Sequence, residues 1–213
     1  MGLSVDVLEA TPERWAAVPT MRFRLQLTED SGDPVHAAAL QCQIRIEPQR
    51  RHYTEDEQAR LVDLFGVPAQ WARSRRPFPW VHQSLVVPSF TGVTEVDLLV
   101  PCTYDLEVVA SKYFHALETG QVSLLLLFAG SLFTRGDTGF SVHRISWDLE
   151  ARHALPVSAW HEMMDHYFPA SGWLRLDRDT LRELQRYKSR HGMTTWQETV
   201  RRLLDHDGEE VAP

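Results

Sequence analysis

Cysteine is scarce in this sequence, since only Cys42 and Cys102 occur among its 213 residues. Two cysteines cannot build the disulfide framework of a small secreted domain, and no CxxC or CxxH pair supplies the local chelate of a metal site. We therefore expect both residues to be reduced, small apolar side chains within strands. The cysteine pattern predicts no metal or cofactor.

Long hydrophobic runs are missing as well. The longest apolar stretch, residues 122–133, is shorter than the roughly 20 residues that a membrane-spanning helix needs. The N-terminal segment contains Asp6 and Glu9, where a secretory signal peptide has a basic start followed by an apolar stretch. These two absences predict a cytoplasmic protein without a membrane span.

The sequence also lacks the motifs of common enzyme classes. It has no GxSxG, Walker A or GxGxxG motif. His161 and His166 are five residues apart, about 140° around a helix, whereas the zinc-protease motif requires a spacing of four. We therefore predict a protein that is not an enzyme, with no catalytic, cofactor-binding or metal-binding residues.

Positive charge is in the minority, because 22 Lys and Arg residues face 29 Asp and Glu residues for a net charge of −7. This balance argues against attraction of the whole protein to nucleic acid or to an anionic membrane. The hydrophobic content of 43% and the seven tryptophans allow a sizeable core.

The stretch from Val122 to Leu149 carries the clearest structural pattern and predicts a central hairpin. Residues 124–128 are all apolar, which is typical of a strand covered on both faces. Residues 134–139 contain two glycines and an aspartate, so we expect the chain to reverse there. The apolar parity changes near His143 and Arg144, which predicts a β-bulge.

The remaining periodicities predict more strands and several short helices. Residues 22–27 and 40–46 alternate and are interpreted as an antiparallel pair, while 81–87 and 96–108 predict further strands, the second an edge strand or broken at Pro101. Helical patterns follow Thr54 and Glu57, which have the spacing of a capping box, and recur at 109–117, 160–167, 178–190 and 196–204.

These elements predict an α+β fold with a mainly antiparallel, sandwich-like β-sheet core, short helices and a C-terminal helical hairpin. The predicted divisions are an N-terminal arm (1–20), a sheet domain (21–170), a C-terminal strand with a helical hairpin packed on it (171–204), and a disordered acidic tail (205–213).

The segment from Trp71 to Trp80 is a candidate binding site because arginines and aromatics, which are enriched at interface hot spots, alternate in it. It could also contact phosphates or bases, or be a solvated proline-rich connector. The candidate partner-binding residues are Trp71, Arg73, Arg75, Arg76, Phe78 and Trp80.

Residues 173–204 form a second candidate. A short predicted strand at 173–176 followed by two amphipathic helices is similar to the ribbon-helix-helix pattern of bacterial repressors, and residues 171–204 contain eight basic against four acidic residues. This pattern keeps a DNA-binding regulator open as the alternative function, although those repressors usually carry the ribbon near the N-terminus of a small dimeric domain.

Three segments together carry a family resemblance: VPSFTGVTEVDLLVPCTYDLEVVASKYFHAL, VSLLLLFAGSLFTRGDTGFSV and MMDHYFPASGWLRLDRDTLRELQRYK. From about Met21 to Leu204 the chain resembles an actinobacterial family of unknown function that is found among accessory genes of high-affinity nickel-iron uptake hydrogenases. The resemblance implies a non-enzymatic assembly, maturation or docking factor whose partner is a hydrogenase subunit or maturation protein. It assigns no site residues.

Overall fold

A computed structural model describes residues 2–105, 108–136, 139–146, 148–171 and 174–210. The strands are β1 (Leu3–Pro12), β2 (Thr20–Glu29), β3 (Val35–Ile46), β4 (Phe78–Val87), β5 (Val93–Pro101), β6 (Gln121–Gly136), β7 (Gly139–Arg144) and β8 (Glu150–Pro156). The α-helices are α1 (Glu55–Arg60), α2 (Val62–Phe65), α3 (Trp71–Ser74), α4 (Val109–Ala116), α5 (Val157–Tyr167), α6 (Arg178–Arg190) and α7 (Trp196–Glu210).

The chain divides into two compact units, Met1–Trp173 and Leu174–Pro213. The first unit contains a three-stranded sheet of order β1-β2-β5 and a five-stranded sheet of order β4-β3-β6-β7, in which β8 also pairs with β6. Every pairing is antiparallel. The second unit contains the helices α6 and α7. The predicted α+β class, antiparallel sheets and C-terminal helix pair are confirmed.

Strand β6 is the centre of the larger sheet, as predicted. Its N-terminal half pairs with β8 and its C-terminal half pairs with β7, and the last β6–β7 pair joins Gly136 to Gly139. Asp137 and Thr138, in the middle of the predicted turn, lie outside the described residues. The predicted bulge near His143 is instead a complete interruption between β7 and β8, which explains why the apolar parity changes there.

The inner faces of the two sheets form one hydrophobic core. Buried residues of β2, β3 and β6 alternate along each strand and join a single cluster. Ring contacts cross between the sheets, with the Phe23 centroid 6.2 Å from Trp80 and 6.3 Å from His153. Cys42 and Cys102 are buried and free, as predicted, but only Cys42 lies in a strand, because β5 ends at Pro101.

Two strand predictions need correction. The strands predicted at 22–27 and 40–46 exist, but they lie in different sheets: β2 pairs with β1 and β5, whereas β3 pairs with β4 and β6. Pairing depends on long-range contacts, which alternation within a strand does not specify. The strand predicted at 96–108 ends at Pro101 and is an edge strand, as the missing proline donor requires.

The predicted N-terminal arm is largely a strand, because residues 3–12 form β1 and pair along β2. The register shifts between Val7 and Glu9. Before the shift the buried residue is the odd-numbered Val5, and after it the buried residue is the even-numbered Ala10. This irregularity hides the period-2 pattern in the sequence.

Two C-terminal predictions also need correction. Residues 174–176, from the predicted short strand, lie in no strand, and Trp173 is outside the described residues. A strand needs a paired neighbour, and the local sequence pattern does not specify one for so short a segment. The predicted disordered tail begins within α7, which continues to Glu210 because no proline interrupts a segment rich in the helix formers Leu and Glu.

An aromatic cluster joins the helices of the first unit to its sheets. Phe114 of α4 stacks on Trp160 of α5 with ring centroids 4.4 Å apart, and Trp80 of β4 lies 5.1 Å from Phe114. Trp71 of α3 is only 5% exposed and packs edge-on against Tyr53 and Phe65. Its indole Nε1 donates a hydrogen bond to the carbonyl oxygen of Gly66 at 2.7 Å.

We predict that Trp71→Ala lowers the free energy of unfolding by about 3 to 5 kcal/mol, because it removes a buried indole and leaves a cavity. Arg73→Ala is the control from the same helix, and its exposed side chain should change the value by less than about 0.5 kcal/mol. Chemical denaturation of both variants measures the difference. Equal stability of the two variants would contradict the placement of Trp71 in the core.

Leu126 and Leu127 provide a second test, because they are neighbours on opposite faces of β6. Leu126 is fully buried, whereas Leu127 is half-buried on the open face. We predict that Leu126→Asp costs several kcal/mol of a total stability of about 5 to 15 kcal/mol, since it buries an unpaired charge. Leu127→Asp should cost only about 1 kcal/mol, from strand propensity. Thermal melts of both variants check the register, and a reversed order would contradict it.

Candidate functional site

The predicted binding segment from Trp71 to Trp80 does not present its aromatic side chains together to solvent. Trp71 is buried, Trp80 packs among Phe23, Phe114 and Trp160, and Phe78 lies 5.6 Å from the Tyr113 ring. These three aromatics therefore contribute mainly to the core of the first unit. A partner cannot reach the buried Trp71 in this conformation.

The arginines of the same segment differ in exposure. The Arg75 guanidinium lies over the rings of Tyr53 and Trp71, at 5.7 and 5.3 Å, and is half-buried. Arg73 and Arg76 are exposed, and the Nε of Arg76 donates to the carbonyl oxygen of Arg73 at 3.3 Å. Partner binding by the predicted set stays a prediction, and Arg73 and Arg76 are its most accessible members.

The structure offers a different candidate, a groove of about 810 Å³ on the outer face of the five-stranded sheet. We call it the open-face groove. It crosses β4, β3 and β6 and ends at the segment between β7 and β8. Its floor contains the small residues Ala39, Ser84, Ala129, Gly130 and Ser131, and its apolar walls contain Val86, Leu127, Phe133 and Ile145.

The backbone of β6 explains why the floor of the groove is low. Gly130 has φ of +152°, and a Cβ atom there would lie 2.0 Å from the carbonyl oxygen of Ala39. Only glycine permits this close approach of β6 to β3. The neighbouring strand β7 ends at Arg144, close to Gly130. The amide of the next residue, Ile145, donates a hydrogen bond to the Gly130 carbonyl oxygen at 3.1 Å. The interruption and the small residues together leave a depression.

Polar side chains also line the groove. Gln41, Gln43, His82 and Arg144 line the groove, and Gln43 Nε2 lies 2.9 Å from His82 Nε2. Within the described part of the chain, no Asp or Glu lines the groove, although the whole protein carries a net charge of −7. The groove therefore suits an apolar ligand that is neutral or carries a negative charge near Arg144.

The buried thiols and phenols of the first unit are poorly suited to nucleophilic or base chemistry. Burial raises the pKa of Cys42 to about 12 and that of Cys102 to about 12, so both stay protonated at neutral pH. Burial also raises the pKa of Tyr53 to about 12 and shifts the pKa of Tyr113 upward, and the two hydroxyl oxygens lie 2.7 Å apart. These groups act as hydrogen-bonded core residues.

A buried ion pair next to the tyrosines has a structural role. Glu57 accepts hydrogen bonds from the Arg51 guanidinium at 2.7 and 2.9 Å, and from the amides of Thr54 at 3.1 Å and Glu118 at 3.0 Å. The predicted capping box of Thr54 and Glu57 is confirmed. The Glu57 carboxylate thus fixes the start of α1 and the end of the α4 segment, and is saturated by these partners.

Metal-binding and membrane-spanning features are missing from the described residues. Among them, no group of three or more His, Cys, Asp or Glu side chains is placed to hold a metal ion. His166, from the histidine pair of α5, has its Nε2 3.2 Å from the carbonyl oxygen of Arg14. No helix in the described ranges is long and apolar enough to cross a membrane.

The open-face groove was not predicted from the sequence, but one signal pointed to it. Residues 124–128 are apolar at every position, which predicts a strand covered on both faces. The structure covers only one face: Leu124, Leu126 and Phe128 are buried, whereas Leu125 and Leu127 are half-buried on the other side. The sequence feature that marks this surface is the pair of apolar residues Leu125 and Leu127, which alternate with the buried residues of the central strand.

Comparisons with known proteins give a family but no function. None of the curated proteins matches the chain. Among solved structures, a β-glucosidase from Kluyveromyces marxianus matches with 9% identity and a TM-score of 0.25. The match covers 72% of this chain, which spans 14% of the length of that enzyme, and it supports no argument about fold or activity. A family model matches residues 1–212, and the chain belongs to that family, the family of unknown function DUF6084.

Proposed function

We propose that this protein is a non-enzymatic accessory factor that binds a segment of a partner protein in the open-face groove. The groove itself carries the proposal, because its lining combines apolar side chains with amide, imidazole and guanidinium groups. Binding sites for protein segments typically combine these two features, with the apolar contacts providing affinity and the polar groups providing orientation.

The chemistry of the groove defines the partner segment. Val86, Leu127, Phe133 and Ile145 would contact apolar side chains of the partner, while Arg144 would pair with a carboxylate. Charge complementarity favours a segment that is neutral or acidic, since the described lining contains no carboxylate. The small side chains of the floor allow the backbone of the segment to approach the sheet closely.

The hydrogenase part of the proposal rests on the sequence resemblance. The resembled family is found among accessory genes of nickel-iron uptake hydrogenases, so we propose a hydrogenase subunit or a maturation protein as the partner, and the cytoplasm as the place where they meet. An assembly, maturation or docking factor can act by binding alone. The protonated thiols and phenols of the core are consistent with this role.

A charge placed in the groove tests this proposal. Ala129 is an exposed floor residue, and Ala129→Glu should reduce the amount of hydrogenase component that the tagged protein captures by at least about tenfold, or roughly 1.4 kcal/mol. The matched control is Ala59→Glu, the same substitution at an exposed position of α1 outside the groove. Capture from hydrogen-oxidising cells is quantified with antibodies against hydrogenase subunits and maturation proteins.

Both variants must first show the melting temperature of the unmodified protein, so that loss of capture reports on the surface. If the unmodified protein captures no hydrogenase component, the hydrogenase assignment is wrong. If Ala129→Glu and Ala59→Glu capture equal amounts, the groove is not the docking surface. The exposed Arg73 and Arg76 would then be tested next by substitution with alanine.

DNA binding through the C-terminal unit is a second candidate function, favoured by the exposed basic face of α6. Arg178, Arg182, Arg186 and Arg190 are all exposed on this helix, and Arg175 precedes it. Arginines arranged in this way can contact consecutive phosphates. The described residues 174–176 form no ribbon strand, so the candidate rests on charge and on the two helices.

The second candidate predicts a salt-sensitive shift of promoter DNA. The combined variant Arg182→Ala and Arg186→Ala should weaken this binding and reduce the slope of log affinity against log salt by about 0.9 for each phosphate that is no longer neutralised. Arg73→Ala, in the first unit, is the control and should leave the slope unchanged. Titration at several salt concentrations measures the slope, and the absence of any shift at physiological salt would rule this candidate out.

A further inference from the structure

The C-terminal unit leaves most of its apolar side chains uncovered. Between residues 174 and 205, the side chains that the structure describes include only two buried ones, Met193 and Thr199. Its exposed large hydrophobic residues are Leu174, Leu176, Leu181, Trp196, Val200, Leu203 and Leu204. The most exposed of them are Leu204 at 65% and Leu174 at 60%.

These residues form continuous stripes along the two helices. In α7, Trp196, Val200, Leu203 and Leu204 are spaced i, i+4, i+7 and i+8, which places them on one face. In α6, Leu181 and Leu184 occupy one face with Lys188, whose ammonium lies 5.5 Å from the Trp196 ring. The stripe of α7 is the larger apolar surface.

The local sequence specifies both helices firmly despite this exposure. Asp177 caps α6 by accepting from the amides of Asp179 and Thr180, each at 2.9 Å. The amide of Glu198 donates to Thr195 Oγ1 at 3.1 Å at the start of α7. The unit is therefore a defined helix pair, and its uncovered stripes are a property of folded helices.

Two helices alone rarely stabilise a unit of this size. It comprises residues 174–213, and units of roughly 40 residues or fewer usually need disulfides, a metal or association with another surface. Both cysteines of the chain, Cys42 and Cys102, are in the first unit, so the helix pair has no disulfide. Among its described residues there is also no group of potential metal ligands. Of these three ways to stabilise the helix pair, association with another apolar surface is the one that remains.

The charges of the two helices indicate what that surface is. By sequence, α6 carries five basic and two acidic residues, a net charge of +3, whereas α7 carries two basic and five acidic residues, a net charge of −3. A two-fold interface is self-complementary, because the patch that one copy presents meets the same patch of the other copy. Antiparallel pairing would place the cationic α6 of one copy beside the anionic α7 of its partner.

We propose that the C-terminal unit, Leu174–Pro213, is a self-association module through which two copies of this chain form a homodimer. The apolar stripes of α6 and α7 form the centre of the interface, as in a bundle of four helices. The opposite charges of the two helices set the arrangement of the copies. This proposal is independent of the open-face groove, which lies in the first unit.

The test is the mass of the full chain in solution. Sedimentation equilibrium over a dilution series from about 1 to 100 µM should show a species of twice the 24.5 kDa monomer mass, which dissociates on dilution. Val200→Glu places a charge in the stripe and should raise the dissociation constant of the dimer at least about a hundredfold. Gln197→Glu, an exposed position of the same helix outside the stripe, adds the same charge and should leave the constant unchanged.

The milder variant Leu203→Ala keeps the test valid if Val200→Glu unfolds the helix pair, and it should raise the dissociation constant about tenfold. If the unmodified chain is a monomer at every concentration, the proposal is wrong, and the apolar stripes would then be expected to bind a different protein. A dimer whose dissociation constant is the same in Val200→Glu, Leu203→Ala and Gln197→Glu would also overturn it, because the copies would then meet elsewhere.

Discussion

The first unit depends on the pairing of β6 with β3, which brings three further strands together. β6 bonds to β3 along one edge and to β7 and β8 along the other, and β3 bonds in turn to β4. The pairing requires a glycine at position 130, because any side chain there would collide with the carbonyl oxygen of Ala39. Alternate side chains of β6 then face the core, and the side chains between them form part of an open surface.

The two faces of the larger sheet consequently have different roles. The inner face is closed by the three-stranded sheet, α4, α5 and the aromatic cluster, in which Phe114 stacks on Trp160. Trp71, Phe78 and Trp80 belong to this closed side even though the sequence places them among arginines and prolines. Within the described residues of the first unit nothing covers the outer face, and this face holds the open-face groove that we propose as the docking surface.

The C-terminal unit follows a different physical logic from that of the first unit. Its helices are specified by caps and by heptad-like spacing, which are local features, yet its apolar stripes have almost no partners within the unit. The first unit reaches a large core through long-range pairing of strands. Surface available for binding therefore arises in two ways in this chain: as an uncovered face of a stable sheet, and as the uncovered stripes of two small helices.

How much was predictable from sequence differs between local and long-range features. The capping box at Thr54 and Glu57, the break at Pro101 and the bounds of α6 depend on neighbouring residues, and each was predicted correctly. The strand β1 was missed because the shift after Val7 breaks its alternation. The pairing of residues 22–27 with 40–46 was predicted wrongly because several strands offered equivalent apolar faces.

The candidate site shows the same division most clearly. The sequence alone determined that Leu125 and Leu127 are apolar and lie within a strand, since composition and length suffice for that. Only the tertiary structure decided that their face stays open, because a face is covered or left free by elements distant in the chain. Likewise, the sequence determined that Trp71 stands among arginines, and only packing against Tyr53 and Phe65 decided that its ring is buried, since burial depends on what the rest of the chain brings to that side.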